Sequence, residues 1–91
     1  MAEREEAAPL SEYWLAHCNG FSVHSEDGRL GSVDAVRPDA RWEGRVLAVR
    51  VGRLGRTLLI VPLSEIRSIR PRERRIFLPG SPKVLGTESA Q

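Results

Sequence analysis

From Phe21 onward, apolar and polar positions alternate with a period of two, the spacing of a strand with one face turned inward. Phe21 and Val23 open a first strand. Glu26-Asp27-Gly28 follows as a hairpin turn, because Asp-Gly suits the positive φ at both central positions of a type I′ turn. The returning strand, Leu30 to Arg37, has Val33 and Val36 three apart, and Gly31 offers a place for a bulge or sharp bend. After a loop over residues 38–44, the segment Val46–Val51 sets Leu47, Val49 and Val51 on one face and Arg50 on the other. Arg56–Val61 is apolar on both faces, with Leu59 and Val61 one way and Leu58 and Ile60 the other, so it needs a second cover. Pro62 ends that strand by removing a ladder donor. A tight turn at Leu63-Ser64-Glu65, a strand between Ile66 and Ile69, a turn over 71–74 and a last strand Arg75–Leu78 complete the pattern.

The chain before Phe21 reads differently. Residues 1–9 are charged and small and end in Pro9, a disordered composition. A short helix is expected within residues 10–19. Ser11 caps it, Leu10 and Leu15 form a hydrophobic staple across the cap, and Asn19-Gly20 stops it. Two turns of helix are unstable alone, so Tyr13, Trp14 and Leu15 must pack on something. Residues 79–91 hold two Pro and two Gly with few large apolar residues, and read as a flexible tail. Six short strands with turn signals every 8–12 residues predict an all-β fold, a small six-stranded antiparallel β-barrel over residues 20–78, preceded by the short helix. Barrel closure is favoured because it removes exposed edges.

Gly-Arg-Leu-Gly occurs twice, at Gly28–Gly31 and at Gly52–Gly55. The first copy straddles a turn and the start of a strand, and the second fills a connection between strands. Their registers differ, which argues against duplication. Neither copy lies between helices, as a nucleic-acid-clamping GXXG loop does, and neither leads into GKS/T or a helix. Both read as hairpin turns.

Charge sharpens the picture. The formal net charge is +2, but 13 of the 14 basic residues are Arg, and RSIRPRERR at 67–75 carries five of them against one Glu. Residues 1–12 hold four Glu and one Arg. Arg67, Arg70, Arg72, Arg74 and Arg75 therefore share a surface suited to an acidic protein face or to RNA. Five aromatic residues offer few stacking platforms for bases, which favours the protein partner.

Catalytic and metal chemistry find little support. Cys18 is the lone cysteine, so no internal disulfide forms, and with His17 and His24 it falls short of a four-ligand zinc site. No metal or cofactor is expected. His17 and Cys18 are helix neighbours that do not face each other, and Cys18 reads as a small buried residue. No apolar run approaches the ~20 residues of a membrane helix, and the acidic start lacks the core of a secretory signal, so a cytoplasmic protein without a membrane span is expected.

CNGFSVHSEDGRLGSVDAV, LAVRVGRLGRTLLIVPLSEIRSI and RRIFLP together resemble the PRC-barrel family. The matching features are a Gly-Phe that opens the first strand, an acidic turn ending Asp-Gly, Gly-x-Val in the second strand, and Val-Pro followed by Ile-x-x-Ile. The resemblance covers residues 20–78. It implies a small six-stranded barrel that acts as an adaptor rather than a catalyst. The family includes the cytoplasmic domain of a photosynthetic reaction-centre subunit and the C-terminal domain of a ribosome-maturation factor. It has no shared catalytic motif, so no active-site residue is carried over. The expected function is a non-catalytic protein-binding module. An RNA- or ribosome-associated binder using Arg67–Arg75 is the alternative. A second expected interface is apolar: Leu58, Ile60 and Phe77 fall outward, with Trp14 beside them. They are covered either by the helix or by a second copy in a homodimer.

Overall fold

A computed structural model describes residues 11–90. The expected disorder of residues 1–9 and the Leu10 half of the staple lie outside the described residues. Helix α1 (Glu12–Ala16) is followed by strands β1 (Ser22–Ser25), β2 (Gly28–Pro38), β3 (Arg45–Val51) and β4 (Thr57–Pro62). A single 3-10 turn at Leu63–Glu65 then leads to β5 (Ser68–Arg70), β6 (Arg75–Phe77) and β7 (Gly86–Ser89). The Ser11 hydroxyl accepts a hydrogen bond from the Trp14 N–H at 3.4 Å, so the cap forms where expected.

All seven strands belong to one sheet in the order β5-β6-β1-β2-β3-β4-β7. The protein is mostly β, as expected, but the six-stranded antiparallel barrel needs three corrections. β1 and β6 pair in parallel. The segment read as a flexible tail supplies β7, which pairs antiparallel with β4 from Thr57↔Ser89 to Ile60↔Gly86. β5 and β7 stand at opposite ends of the order, so the ladder does not close.

The first hairpin also differs in detail. Gly28 has φ +118°, and Arg74 is the one non-glycine among the described residues with positive φ. Glu26 and Asp27 therefore do not make a type I′ turn. Gly28 takes the left-handed position just after them, opposite Ser25. Two irregularities follow in β2. Val23↔Gly31 and His24↔Arg29 leave Leu30 as an extra residue, and Val33↔Val49 and Ala35↔Ala48 leave Asp34 as another. The bulge at Asp34 explains the spacing of three: it shifts the pleat by one, so Val33 and Val36 both reach the core. Gly31 lies between the bulges and serves close packing instead. A Cβ there would lie 2.0 Å from the Arg50 carbonyl oxygen.

The main core draws on α1 and on all of β1 to β6: Leu15, Val23, Val33, Leu47, Val49, Val61, Ile69 and Ile76 belong to one buried cluster, with Trp14 packed against it. Each such aliphatic side chain contributes about 1.5–3 kcal/mol on burial. The other face of β3 and β4 forms a second cluster of Val46, Ala48, Leu58 and Ile60 beneath Trp42, Leu85 and Ala90. This is the second cover that β4 required. It comes from the C-terminal segment and from Trp42 in the 38–44 loop, not from α1.

Ion pairs fasten the new strand. Arg37 donates to Glu88 at 2.7 Å and to Asp39 at 3.4 Å, while Arg41 bridges Asp39 and Glu88. The Arg41 guanidinium and backbone N–H hold the Asp39 carboxyl well below the usual carboxylate range.

Candidate functional site

The five arginines read from the sequence are brought together by the β5–β6 hairpin, at one open end of the sheet. Alternation explains their exposure. Ile69 and Ile76 point into the core at 0% exposure, so their neighbours Arg70, Arg75 and Phe77 take the outer face. The Arg70 guanidinium carbon lies 5.5 Å from the centre of the Phe77 ring. Its Nε is buried and has no hydrogen-bond partner among the described residues. Arg74 stands in the turn with φ +57° and lays its guanidinium 5.5 Å from the centre of the Phe21 ring. Arg75 approaches Glu73 at 3.8 Å. Arg67 and Arg72 are exposed.

The hairpin continues across β1. His24 pairs in register with Phe77, their rings 5.7 Å apart. Its pKa is pushed down, first by desolvation and then by the charges of Arg75 and Arg29. The neutral form of His24 is thus favoured by desolvation and by its place among cations.

The apolar interface read from the sequence does not assemble. Leu58 and Ile60 lie under the C-terminal segment at 7% and 0% exposure. Phe77 is half-buried on β6, separated from β4 by three intervening strands, and Trp14 packs on the main core. Among the described residues, the large hydrophobic side chains that are exposed are Tyr13, Leu54 and Val84.

No protein-family model matches this chain, and no curated protein matches it.

One group of cations was not legible as a group. The two Gly-Arg-Leu-Gly copies meet in space and line a common open groove of about 330 Å³ with Ser32, Arg50 and Val51. Beyond Leu54 and Gly55 a second open groove of about 520 Å³ runs along Arg56, Ser89 and Ala90. Arg50 is committed to the fold. It donates to the Gly55 carbonyl at 2.8 Å and pairs with Asp34, the bulged residue of β2. Arg29, Arg53 and Arg56 are exposed, and none pairs with an acidic side chain among the described residues.

Elsewhere, Cys18 is fully buried and its thiol pKa is raised by desolvation. Among the described residues no three His, Cys, Asp or Glu side chains gather as metal ligands, and no helix is long and apolar enough to cross a membrane.

Proposed function

We propose that this chain is a non-catalytic adaptor of the PRC-barrel type, acting in the cytoplasm, that docks an acidic face of another protein through the arginines of the β5–β6 hairpin. The carrying observation is the crowding of Arg67, Arg70, Arg72, Arg74 and Arg75 on one edge hairpin that holds a single acidic residue, Glu73. Guanidinium groups pair bidentately with carboxylates, and a basic surface speeds encounter with an acidic partner. The family reading rests on the sequence resemblance over residues 20–78, and the six strands between residues 22 and 77, which share the main core, are compatible with it. The non-catalytic reading draws support from Cys18, whose buried, protonated thiol is a poor nucleophile. A homodimer through Leu58, Ile60 and Phe77 is not part of this proposal, because those residues do not form a common face.

One observation favours RNA as a second reading: Phe77, His24 and Arg70 place two rings and a guanidinium plane together on the basic face. A single experiment separates the two. The tagged chain is used to recover partners from its native lysate with and without RNase, beside a variant carrying Arg67→Gln, Arg70→Gln, Arg72→Gln and Arg75→Gln. A partner that survives RNase and is lost with the variant supports the adaptor. Partners lost with RNase move the assignment to RNA. A nuclease-resistant partner that the variant retains overturns the hairpin as the docking surface.

A further inference from the structure

The groove between the two Gly-Arg-Leu-Gly turns shares no residue with the β5–β6 hairpin and does not depend on the reading above. We propose that it is a second docking site, for an acidic segment of another protein that carries an apolar side chain. Leu54 stands at the tip of the β3–β4 turn with 73% of its surface exposed, more than Tyr13 or Val84. It walls both open grooves, so a ligand lying over it has a channel on either side. Arg29 and Arg53 line the first channel and Arg56 the second. Their charges are unspent among the described residues, whereas Arg50 beneath them is neutralised by Asp34.

The turn that presents Leu54 is held in place. Gly52 and Gly55 have φ +91° and +63°, the Gly55 N–H donates to the Gly52 carbonyl at 3.1 Å, and Arg50 donates to the Gly55 carbonyl. A surface already fixed in shape loses little freedom on binding. An exposed leucine flanked by arginines that pair with no acidic side chain among the described residues selects its ligand by two features together. Carboxylates answer the arginines, and an apolar side chain removes Leu54 from water. A phosphodiester backbone would satisfy the arginines and leave Leu54 exposed, which is why a protein segment is favoured over nucleic acid.

The test uses the full ¹⁵N-labelled chain and three probes: a twelve-residue peptide alternating Glu and Leu, the same peptide with every Leu replaced by Ser, and a twelve-nucleotide poly-U RNA. The leucine-bearing peptide is expected to shift the amides of Arg29–Ser32 and Gly52–Arg56. It should bind at least tenfold more tightly than the serine peptide and than the RNA at these amides. Leu54→Ser, and separately Arg53→Gln with Arg56→Gln, should each weaken it at least tenfold. All three residues are exposed, and an unchanged Tm verifies that the variants fold. Arg67→Gln with Arg75→Gln should leave this binding unchanged, so failure of the hairpin reading and failure of this one are distinguishable. Equal binding of the two peptides, shifts confined to the β5–β6 hairpin, no binding at all, or tighter binding of the RNA at these amides overturns the proposal.

Discussion

Gly31 passes so close over Arg50 that any β-carbon at position 31 would lie 2.0 Å from the Arg50 carbonyl oxygen and 3.0 Å from its carbonyl carbon. The obstruction is backbone, which cannot swing aside as the end of a side chain does. Gly31→Ala should therefore part β2 from β3 and cost about 1–3 kcal/mol or more, the range for forcing atoms into a packed interior. Gly44→Ala is the control. Its new methyl would meet only Trp42 ring atoms at 3.8 and 3.9 Å, and no positive φ opposes it. It should change stability by less than about 0.5 kcal/mol. Urea midpoints for the two variants check the contrast.

The second apolar cluster makes the C-terminal segment part of the folding unit. Ile60→Ala removes a fully buried side chain there and should cost about 2–5 kcal/mol. Deleting residues 84–91 should bare Leu58 and Ile60 and free the edge of β4 for pairing with other chains. The shortened chain is expected to bind a hydrophobic dye, unfold at lower urea and associate as concentration rises. A truncated protein as stable and monodisperse as the full chain would contradict the observed packing.

His24 provides a charge probe of the basic face. Its folded-state pKa is depressed below about 6.5, so between those two values the unfolded chain binds the additional proton. Its contribution to stability is complete above pH ~6.5 and declines as pH falls through the folded pKa. Ring-proton NMR titration should return a pKa below the free value. Arg75→Gln should raise it, and Arg29→Gln should raise it by less, because Arg75 exerts the larger charge effect.

Asp39 marks the acid limit of the clamp on β7. Arg41 depresses its folded-state pKa, so the stability it supplies is present above about pH 3.9 and is lost as pH falls further toward the folded pKa. Replacing Asp39 with Asn should flatten the acid limb of a stability-against-pH curve and lower the plateau at neutral pH. An unaltered acid limb would show that the Asp39–Arg41 contact adds nothing.

Strands that bury one face announce themselves. Val23, Leu47, Val49, Val61, Ile69 and Ile76 point into one core, and the period of two, joined to turn signals and the apolar run of β4, was enough to read all six strands between residues 21 and 78. The seventh could not. Gly-Thr-Glu-Ser contributes no apolar face and joins by backbone pairing with β4, while flanking Leu85 and Ala90 do the packing. The demand of Leu58 and Ile60 for a second cover was legible, but which segment met it was not, because covering is a long-range event. Arg67 to Arg75 were visible as a set because they are contiguous. Arg29 stands at the start of β2 and Arg53 and Arg56 in the β3–β4 connection, so the group was hidden by distance along the chain. The repeated Gly-Arg-Leu-Gly was the signal that could have joined them. Read as two independent turns, it was right for Gly52–Gly55, while Gly28–Gly31 proved to be the start of β2, and the meeting of the two copies was missed.

The parallel pairing of β1 with β6 also sets a schedule. β1 finds its antiparallel partner β2 across a two-residue turn, and β2–β3 and β3–β4 close over short connections, so this meander can assemble by local events. β6 must return from beyond all of them to lie beside β1, and that closure carries a large chain-entropy cost before its contacts reward it. The β5–β6 hairpin is therefore expected to dock after the meander, as a late kinetic phase. The arginine face then comes into being with the last step of folding, so a chain caught partway has its meander but not yet its basic surface.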